Sequence, residues 1–421
     1  MTASNLPAAS DCPAANAARP DQRVRVLFLN TRSALGADVA VHLSLIQNLD
    51  PQLVDVFVAT NCNSVDLDIT LDVLKTLPQE RVLVADLGHE VAVPNSGIRG
   101  RIKGFFRNLP ALVTLVRLTG FMRRQRIDLL HSTDRPRDAL FSTLLAKLTG
   151  RRNLLHVHIS WNEHFGKATR WALHRCSAVL AISEFTRESF ERAGIPRAKL
   201  YMSHNATDTT RFDPARVPAG RLRGPLGLAP ETPLIGIVAR VMVWKGHSEL
   251  IDALAKVRDA IPIVQLAIVG KEDLLASQGD GGFARHLKAR IEALGLAPNV
   301  HWVGWSDDIP GVMRDLDVLA MPSWEEPFGL AVTEALAMQT PVVGFASGAL
   351  PEIITHGEEG LLVPARDTDA LASALIRLLG DSDLRAAMGQ KGRERVLRAF
   401  SPGRQADEVA AIYRAIGQKS F

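Results

Sequence analysis

Strand-length apolar runs recur along the chain, with helix-like stretches between them. "RVRVLFLN" (Arg23–Asn30) is the first, followed by a short loop and the helical pattern "VAVHLSLIQNL". "DVFVA" from Asp55, "RVLVA" from Arg81, "DLLHS" from Asp128, "NLLHVHIS" from Asn153 and "AVLAIS" from Ala178 continue the series. Their hydrophobicity is continuous rather than alternating, as a parallel strand covered on both faces requires. The helical stretches between most of them predict an α/β fold.

After "DPARVPAGRLRGPLGLAPETP", polar and rich in Pro and Gly, the pattern begins again. "LIGIVA" from Leu234, "VQLAIVG" from Val264, "VHWVG" from Val300, "DVLAM" from Asp317, "PVVGF" from Pro341 and "GLLV" from Gly360 form the second series. Two doubly wound, Rossmann-like domains are the economical reading, at residues 23–205 and 231–400, with a linker at 206–230. Residues 1–22 read as a disordered tail, and 401–421 as a helix returning toward the first domain. Ligands of open parallel sheets bind beyond the carboxyl ends of the strands, so the site is expected in the cleft where the two domains face.

Composition narrows the classes. At 421 residues and 47% hydrophobic, the chain can bury two cores. Cys12, Cys62 and Cys176 are odd in number and widely spaced, offering neither a disulfide framework nor a metal knuckle, which fits a reducing cytoplasm. The N-terminal stretch lacks the charged start and apolar run of a secretory signal. "LPALVTLVRLTGFM", broken by Arg117, falls short of a membrane span.

Several segments carry candidate chemistry. In "VARVMVWKGH", Arg240 follows a strand and Lys245 lies near the next helix start. Such a pair with a helix N-terminus holds an anion, unless both are simply solvated cations. Ser347 and Gly348, in "GFASGALPEI", either let a ligand approach backbone amides or merely turn the chain. Glu326 and Glu334 stand with seven residues between them in "SWEEPFGLAVTEALA"; alone, acids early in a helix favour its macrodipole and face water. His156 and His158 share one face of a strand. They read as buried, hydrogen-bonded side chains or as paired metal ligands, and no acid or Cys at recognisable ligand spacing supports the metal. Three Asp-x-Asp triplets, at Asp66–Asp68, Asp315–Asp317 and Asp381–Asp383, are too common by chance to argue for a metal-dependent transferase.

The order "VARVMVWKG", "VHWVG", "MPSWEEPFGLAVTEALA", "SGALPEI", "GLLV" resembles the donor half of glycosyltransferase family 4. The resemblance covers roughly residues 20–415 and is most specific in the second half. It implies a two-domain GT-B fold and transfer of a sugar, with retention, from a nucleotide donor. Glu326 and Glu334 occupy the family's paired-glutamate positions, which places Glu326 beneath the transferred sugar and Glu334 at the ribose hydroxyls. Arg240 and Lys245 match its diphosphate-binding pair. Phe328 and Gly329 keep its Glu-x-Phe-Gly core, and with Leu330 and Gly304 complete the implied donor set. "RSALGADVAVH" resembles its glycine-rich loop on the acceptor side. Gly36 is kept there, Leu35 replaces the first glycine, and Asp38 stands where glutamate is usual. Asn205 and Asp208 match an interdomain segment in which Ala206 replaces glycine. His158 matches a functional histidine at a strand end, contacting sugar or acceptor, and leaves His156 structural.

The expectation is a retaining transferase moving a hexose from a UDP- or GDP-sugar to an acceptor hydroxyl on a glycan or lipid-linked glycan. It needs no cofactor and no metal, because cations and helix amides stabilise the leaving diphosphate. A nucleotide-sugar epimerase of the same fold and a non-catalytic nucleotide-sugar binder are the rival readings. Between Val91 and Ile127 lie eight basic residues (Arg99, Arg101, Lys103, Arg107, Arg117, Arg123, Arg124, Arg126) and no acid, with Phe105 and Phe106 among them. Residues 97–127 therefore suit an anionic membrane surface on its cytoplasmic face, or are a packed helix with solvated cations. No recognition module supports nucleic acid as a partner.

Overall fold

In the computed structural model, residues 23–32, 36–88, 109–163, 165–272 and 282–418 are described. The tail at 1–22 and most of the basic stretch, including Arg99, Arg101, Lys103, Phe105, Phe106 and Arg107, lie outside them. The first sheet contains β1 (Val24–Asn30), β2 (Val54–Asn61), β3 (Val82–Ala85), β4 (Leu129–Thr133), β5 (Arg152–Val157), β6 (Ala178–Ala181) and β7 (Leu200–Met202), in the order β3-β2-β1-β4-β5-β6-β7. The second contains β8 (Leu234–Val238), β9 (Gln265–Val269), β10 (Val300–Gly304), β11 (Val318–Met321), β12 (Val342–Phe345) and β13 (Gly360–Val363), in the order β10-β9-β8-β11-β12-β13. Neighbouring strands pair in parallel throughout. The apolar runs foretold every strand but β7, an edge strand of three residues, too short to stand out.

Burial explains the unbroken hydrophobicity of those runs. Leu27, Leu29 and Leu130 of the first sheet, and Ile235, Ile237 and Val343 of the second, are fully buried. Each such side chain contributes roughly 1.5–3 kcal/mol by leaving water. The helix Pro402–Gln418 crosses back onto the first sheet. Its Ala406, Val409, Ala410 and Tyr413 join the cluster built on Val26, Phe28 and Val39.

Each sheet reverses its winding at one place, between β1 and β4 and between β8 and β11, and such a reversal opens a crevice at the carboxyl strand ends. Asp138 braces the first crevice, accepting from the Thr31 amide at 2.8 Å and the Thr133 hydroxyl at 2.5 Å. The halves also touch directly. The Glu352 carboxylate accepts from the Glu184 and Phe185 amides and meets His204 Nε2, each at 2.8 Å. The Ser183 and Thr186 hydroxyls donate to the Pro327 carbonyl. Among the described residues, no helix is long and apolar enough to cross a membrane.

Candidate active site

The two crevices open onto one cleft of about 670 Å³. From the second half, Arg240, Lys245, Glu326, Phe328, Gly329 and Leu330 line it; from the first come Asp38 and His158. With Asn205, which also lines it, nine residues singled out in the sequence, drawn from both halves, are thus brought together.

In the second half the backbone is shaped by glycine. After β8 the chain makes one tight turn, Val243–Lys245, and Gly246 then starts the helix His247–Ala260 with φ 76°. A Cβ on Gly246 would lie 1.9 Å from the Pro322 carbonyl oxygen, so only glycine lets this turn press on the loop after β11. Gly348, at φ 60°, is likewise pinned: its Cβ would sit 2.4 Å from the backbone of Glu326. The Trp324 amide donates to Trp244 O, the Ala349 amide to Glu326 O, and the Ser347 hydroxyl to Trp324 O. The Glu326 loop is therefore clamped from both sides. In it, the Glu326 carboxylate accepts from Lys245 Nζ at 2.6 Å, with side chains only 8% and 13% exposed. Arg240 is exposed on the same wall.

The first half offers a different wall. Asp38, on the first turn of the helix Ala37–Asn48, is held by Arg32 Nη1 at 2.6 Å and Arg135 Nε at 3.1 Å. Burial pushes its carboxyl up, but Arg135 and Arg32 outweigh burial and hold it at about 2. Gly36 lies behind this pair rather than on the cleft: a Cβ there would meet Arg32 Nη1 at 2.4 Å. His158 follows β5 into the cleft. Burial pushes its imidazole down to about 4, against the pull of Asp38 and with Arg135 adding to the drop, so it is neutral at pH 7.

Two predicted donor residues stand apart. Gly304 ends β10 at φ 75° beside a register break and accepts from the Gly270 amide, and it is not among the described residues lining the cleft. Glu334 sits in the body of the helix Leu330–Ala337, half-buried and off the cleft lining. Burial pushes its carboxyl up to about 7, with Arg211 opposing. Two of the Asp-x-Asp triplets are structural. Asp315 accepts from the Gly220, Leu222 and Arg223 amides, Asp317 pairs with Arg223, and Asp381 caps the helix Ser382–Ala399.

The sequence reading missed other cleft residues. Arg366, at φ 63°, lines the cleft with its guanidinium 4.0 Å from the Trp324 ring centre. A cation just past the "GLLV" strand was the available signal. Behind the cleft lining, buried His42 was missed as well. It stands beside His156 and His158, with ring centres 5.3 and 5.6 Å away, although the helix Ala37–Asn48 that carries it is remote from β5 in sequence.

Two Rossmann-like halves with a cleft between their strand ends define the GT-B fold. Residues 220–395 match the model for glycosyl transferases group 1, and residues 40–211 match that for glycosyltransferase family 4. The chain belongs to glycosyltransferase family 4. It is 36% identical over 213 residues to a D-inositol 3-phosphate glycosyltransferase of Corynebacterium jeikeium, a match spanning 50% of each chain. It is 32% identical over 266 residues to a GDP-mannose-dependent alpha-(1-6)-phosphatidylinositol monomannoside mannosyltransferase of Mycolicibacterium smegmatis, covering 59% of this chain and 66% of that one. This chain thus spans half to two thirds of the length of these two relatives. HepE of Anabaena, solved in complex with UDP, superposes with a TM-score of 0.74 at 21% identity, over 93% of this chain and all of that one.

Proposed function

We propose that the protein is a retaining glycosyltransferase that moves a hexose from a UDP- or GDP-sugar to the hydroxyl of a glycan or lipid-linked glycan. The observation that carries this reading is the Lys245–Glu326 pair, a cation and an acid in contact on the donor wall of the cleft, facing His158 across it. A diphosphate entering the cleft competes with Glu326 for Lys245, and Arg240 adds a second charge. The helix opening at Leu330 adds unpaired amides. Glu326, released, accepts from hydroxyls of the sugar, where charge-assisted bonds position the anomeric carbon. Glu334 would serve the ribose from within its helix.

Positive charge grows on the sugar as its bond to phosphate oxygen breaks, and negative charge grows on the leaving diphosphate, where the two cations stabilise it. The acceptor oxygen attacks from the same face, and its proton passes to the departing phosphate oxygen. Neutral His158 hydrogen-bonds sugar or acceptor without bringing a competing charge. The GDP-mannose dependence of the Mycolicibacterium smegmatis relative and the UDP bound to HepE support a nucleoside-diphosphate donor for this wall. No protein side chain forms a covalent intermediate in this scheme.

The test is a thermal-shift screen against UDP-, GDP- and ADP-sugars, followed by product analysis with a glycan acceptor. A donor that binds only the folded chain raises Tm. Transfer with an α-configured product from an α-donor supports the reading; donor turnover to an epimer, or binding without turnover, replaces it with one of the rivals. Peripheral attachment is a separate proposal. The helix Leu109–Arg124 packs Leu118, Phe121 and Met122 on the sheet and exposes Val113, Val116, Arg117 and Arg124. Flotation with anionic but not neutral vesicles, weakened by salt, is expected. Protein that stays unbound to anionic vesicles at low salt would end that proposal.

A further inference from the structure

Beneath the acceptor wall lies a cluster of four histidines that the transferase chemistry does not use in full. One ring nitrogen from each of His42, His156 and His158 lies within 4.8 Å of the other two. The Nε2 atoms of all three are buried and have no hydrogen-bond partner among the described residues. His42 is 6% exposed and His156 is fully buried. Three orphaned nitrogens in one pocket carry a desolvation penalty that apolar packing does not return.

The surroundings resemble the support of a metal ligand rather than ordinary core. His156 Nδ1 lies 3.2 Å from His131 Nε2, and His131 Nδ1 lies 2.5 Å from the buried hydroxyl of Tyr413. When His156 donates along this chain, its Nε2 is left as a bare lone pair directed away from it, the tautomer a metal ligand needs. Asp38, held ionised by its two arginines, acts electrostatically on both His42 and His158, and its charge offsets part of that of a divalent cation. Asp134 is buried with Oδ2 unpartnered, and burial pushes its carboxyl up to about 7.

We propose that His42, His156 and His158 form a binding site for a borderline divalent transition ion of the Zn²⁺ class, clamping the helix Ala37–Asn48 to the end of β5. Zinc takes imidazole nitrogen at about 2.0–2.1 Å, which sets ligand nitrogens roughly 3.3 Å apart in a tetrahedral site. The rings must close by at most about 1.5 Å from their resting separation, a movement that small side-chain rotations supply. All-imidazole donors suit zinc, cobalt or nickel and not magnesium, which prefers oxygen. Burial keeps the three imidazoles well below their usual range, so their lone pairs are available at neutral pH. The ion is not assigned a step in transfer; His158 is shared with the proposed transferase site, which it also lines, and because the test reads metal binding by the resting chain the two readings fail separately.

Chelator-stripped full-length protein is titrated with ZnCl₂ by calorimetry and with CoCl₂ by visible absorption. One equivalent should saturate, raising Tm, and Co²⁺ should show tetrahedral d–d bands without the near-ultraviolet thiolate band that exposed Cys62 would give. His42→Gln and His156→Gln should each weaken binding by about tenfold or more, whereas exposed His286→Gln should leave it unchanged. MgCl₂ should give no saturable heat. Absence of one-equivalent Zn²⁺ binding, or binding undiminished in both Gln variants, overturns the proposal. Should either variant fail to fold, the wild-type Co²⁺ spectrum decides: no tetrahedral bands, or a thiolate band, overturns it.

Discussion

The two walls of the cleft solve opposite problems. On the wall proposed for the donor, one buried ion pair, Lys245–Glu326, sits beside the exposed Arg240, and under the proposed function a diphosphate takes over the lysine. On the acceptor wall the charges are already committed: Asp38 is shared between two guanidinium groups, and the neighbouring histidines are neutral. One wall is arranged to exchange ionic partners, the other to stay fixed while they are exchanged. Under the proposed function, the difference teaches where binding free energy can be spent: on the donor, whose charge changes during transfer.

The largest effect should come from breaking the exchangeable pair. Lys245→Ala leaves Glu326 buried without its cation, which costs about 3–5 kcal/mol of stability for a buried pair. It also removes a charge-assisted contact of about 1.5–3 kcal/mol to the leaving group, so kcat/KM should fall at least about tenfold. The double variant Lys245→Met with Glu326→Leu separates the two roles. It should recover much of the Tm lost in the single variant and recover none of the transfer. A double variant that transfers sugar at the wild-type rate would show that the pair only holds the fold.

A smaller loss is expected on the fixed wall. The Asp38 carboxyl falls from 3.8 to about 2 on folding, a stabilisation of about 2 kcal/mol while it is ionised in both states. Because the folded value is the lower one, this contribution is complete above about pH 4. It fades as the pH drops toward 2 and is absent below. Asp38→Asn should therefore lower stability by on the order of 2 kcal/mol at pH 7, and the gap between the two proteins should narrow in acid. Urea melts across that range measure it, and a gap independent of pH would contradict the assignment.

The same contrast governs what the sequence could disclose. Lys245 and Glu326 each lie a few residues beyond a strand end, in contiguous segments that carry the family resemblance, so this wall was legible through that resemblance, while spacing alone left solvated cations and helix-start acids as equal readings. The acceptor wall depends on sheet order. His131 on β4 meets Tyr413 from the last helix, and Asp38 meets Arg135, because β1 lies beside β4 and the last helix packs across them. Nothing near His156 and His158 in the chain announces His42. Sequence placed Glu334 in a helix but could not give its burial, which follows from the packing of that helix. The strands themselves were readable because burial on both faces leaves an unbroken apolar signature, and β7 escaped by being short.

The contact that joins the walls should matter less than either. Glu352 caps the amides of Glu184 and Phe185 across the domain boundary, beside Pro327 in the donor loop. Glu352→Ala should cost about 1–2 kcal/mol, the range for losing a helix-terminal acceptor. Its KM for donor should rise more than its kcat falls, since the loop is loosened and no reacting group is lost. A drop in kcat alone would place Glu352 in the chemistry rather than in the hinge.

The smallest effect tests whether the donor wall extends to Glu334. Burial raises its carboxyl to about 7 from 4.5, so between those values the folded chain holds a proton that the unfolded chain has released. Stability of the ligand-free protein should then fall as pH rises through that window, with a shallow slope because the residue is only half-buried. Ribose hydroxyls donate to the ionised carboxylate, so nucleotide selects the deprotonated form. Affinity for free nucleoside diphosphate should rise severalfold, at most about tenfold, between about pH 6 and about pH 8. Titration of the phosphate itself is common to every variant and cancels on comparison. Glu334→Gln should bind more weakly at the higher pH and lose the extra slope, while Glu326→Gln keeps it and loses turnover instead. Calorimetry at the two pH values measures both. A Glu334→Gln protein with the wild-type slope would mean that its carboxylate never reaches the nucleotide.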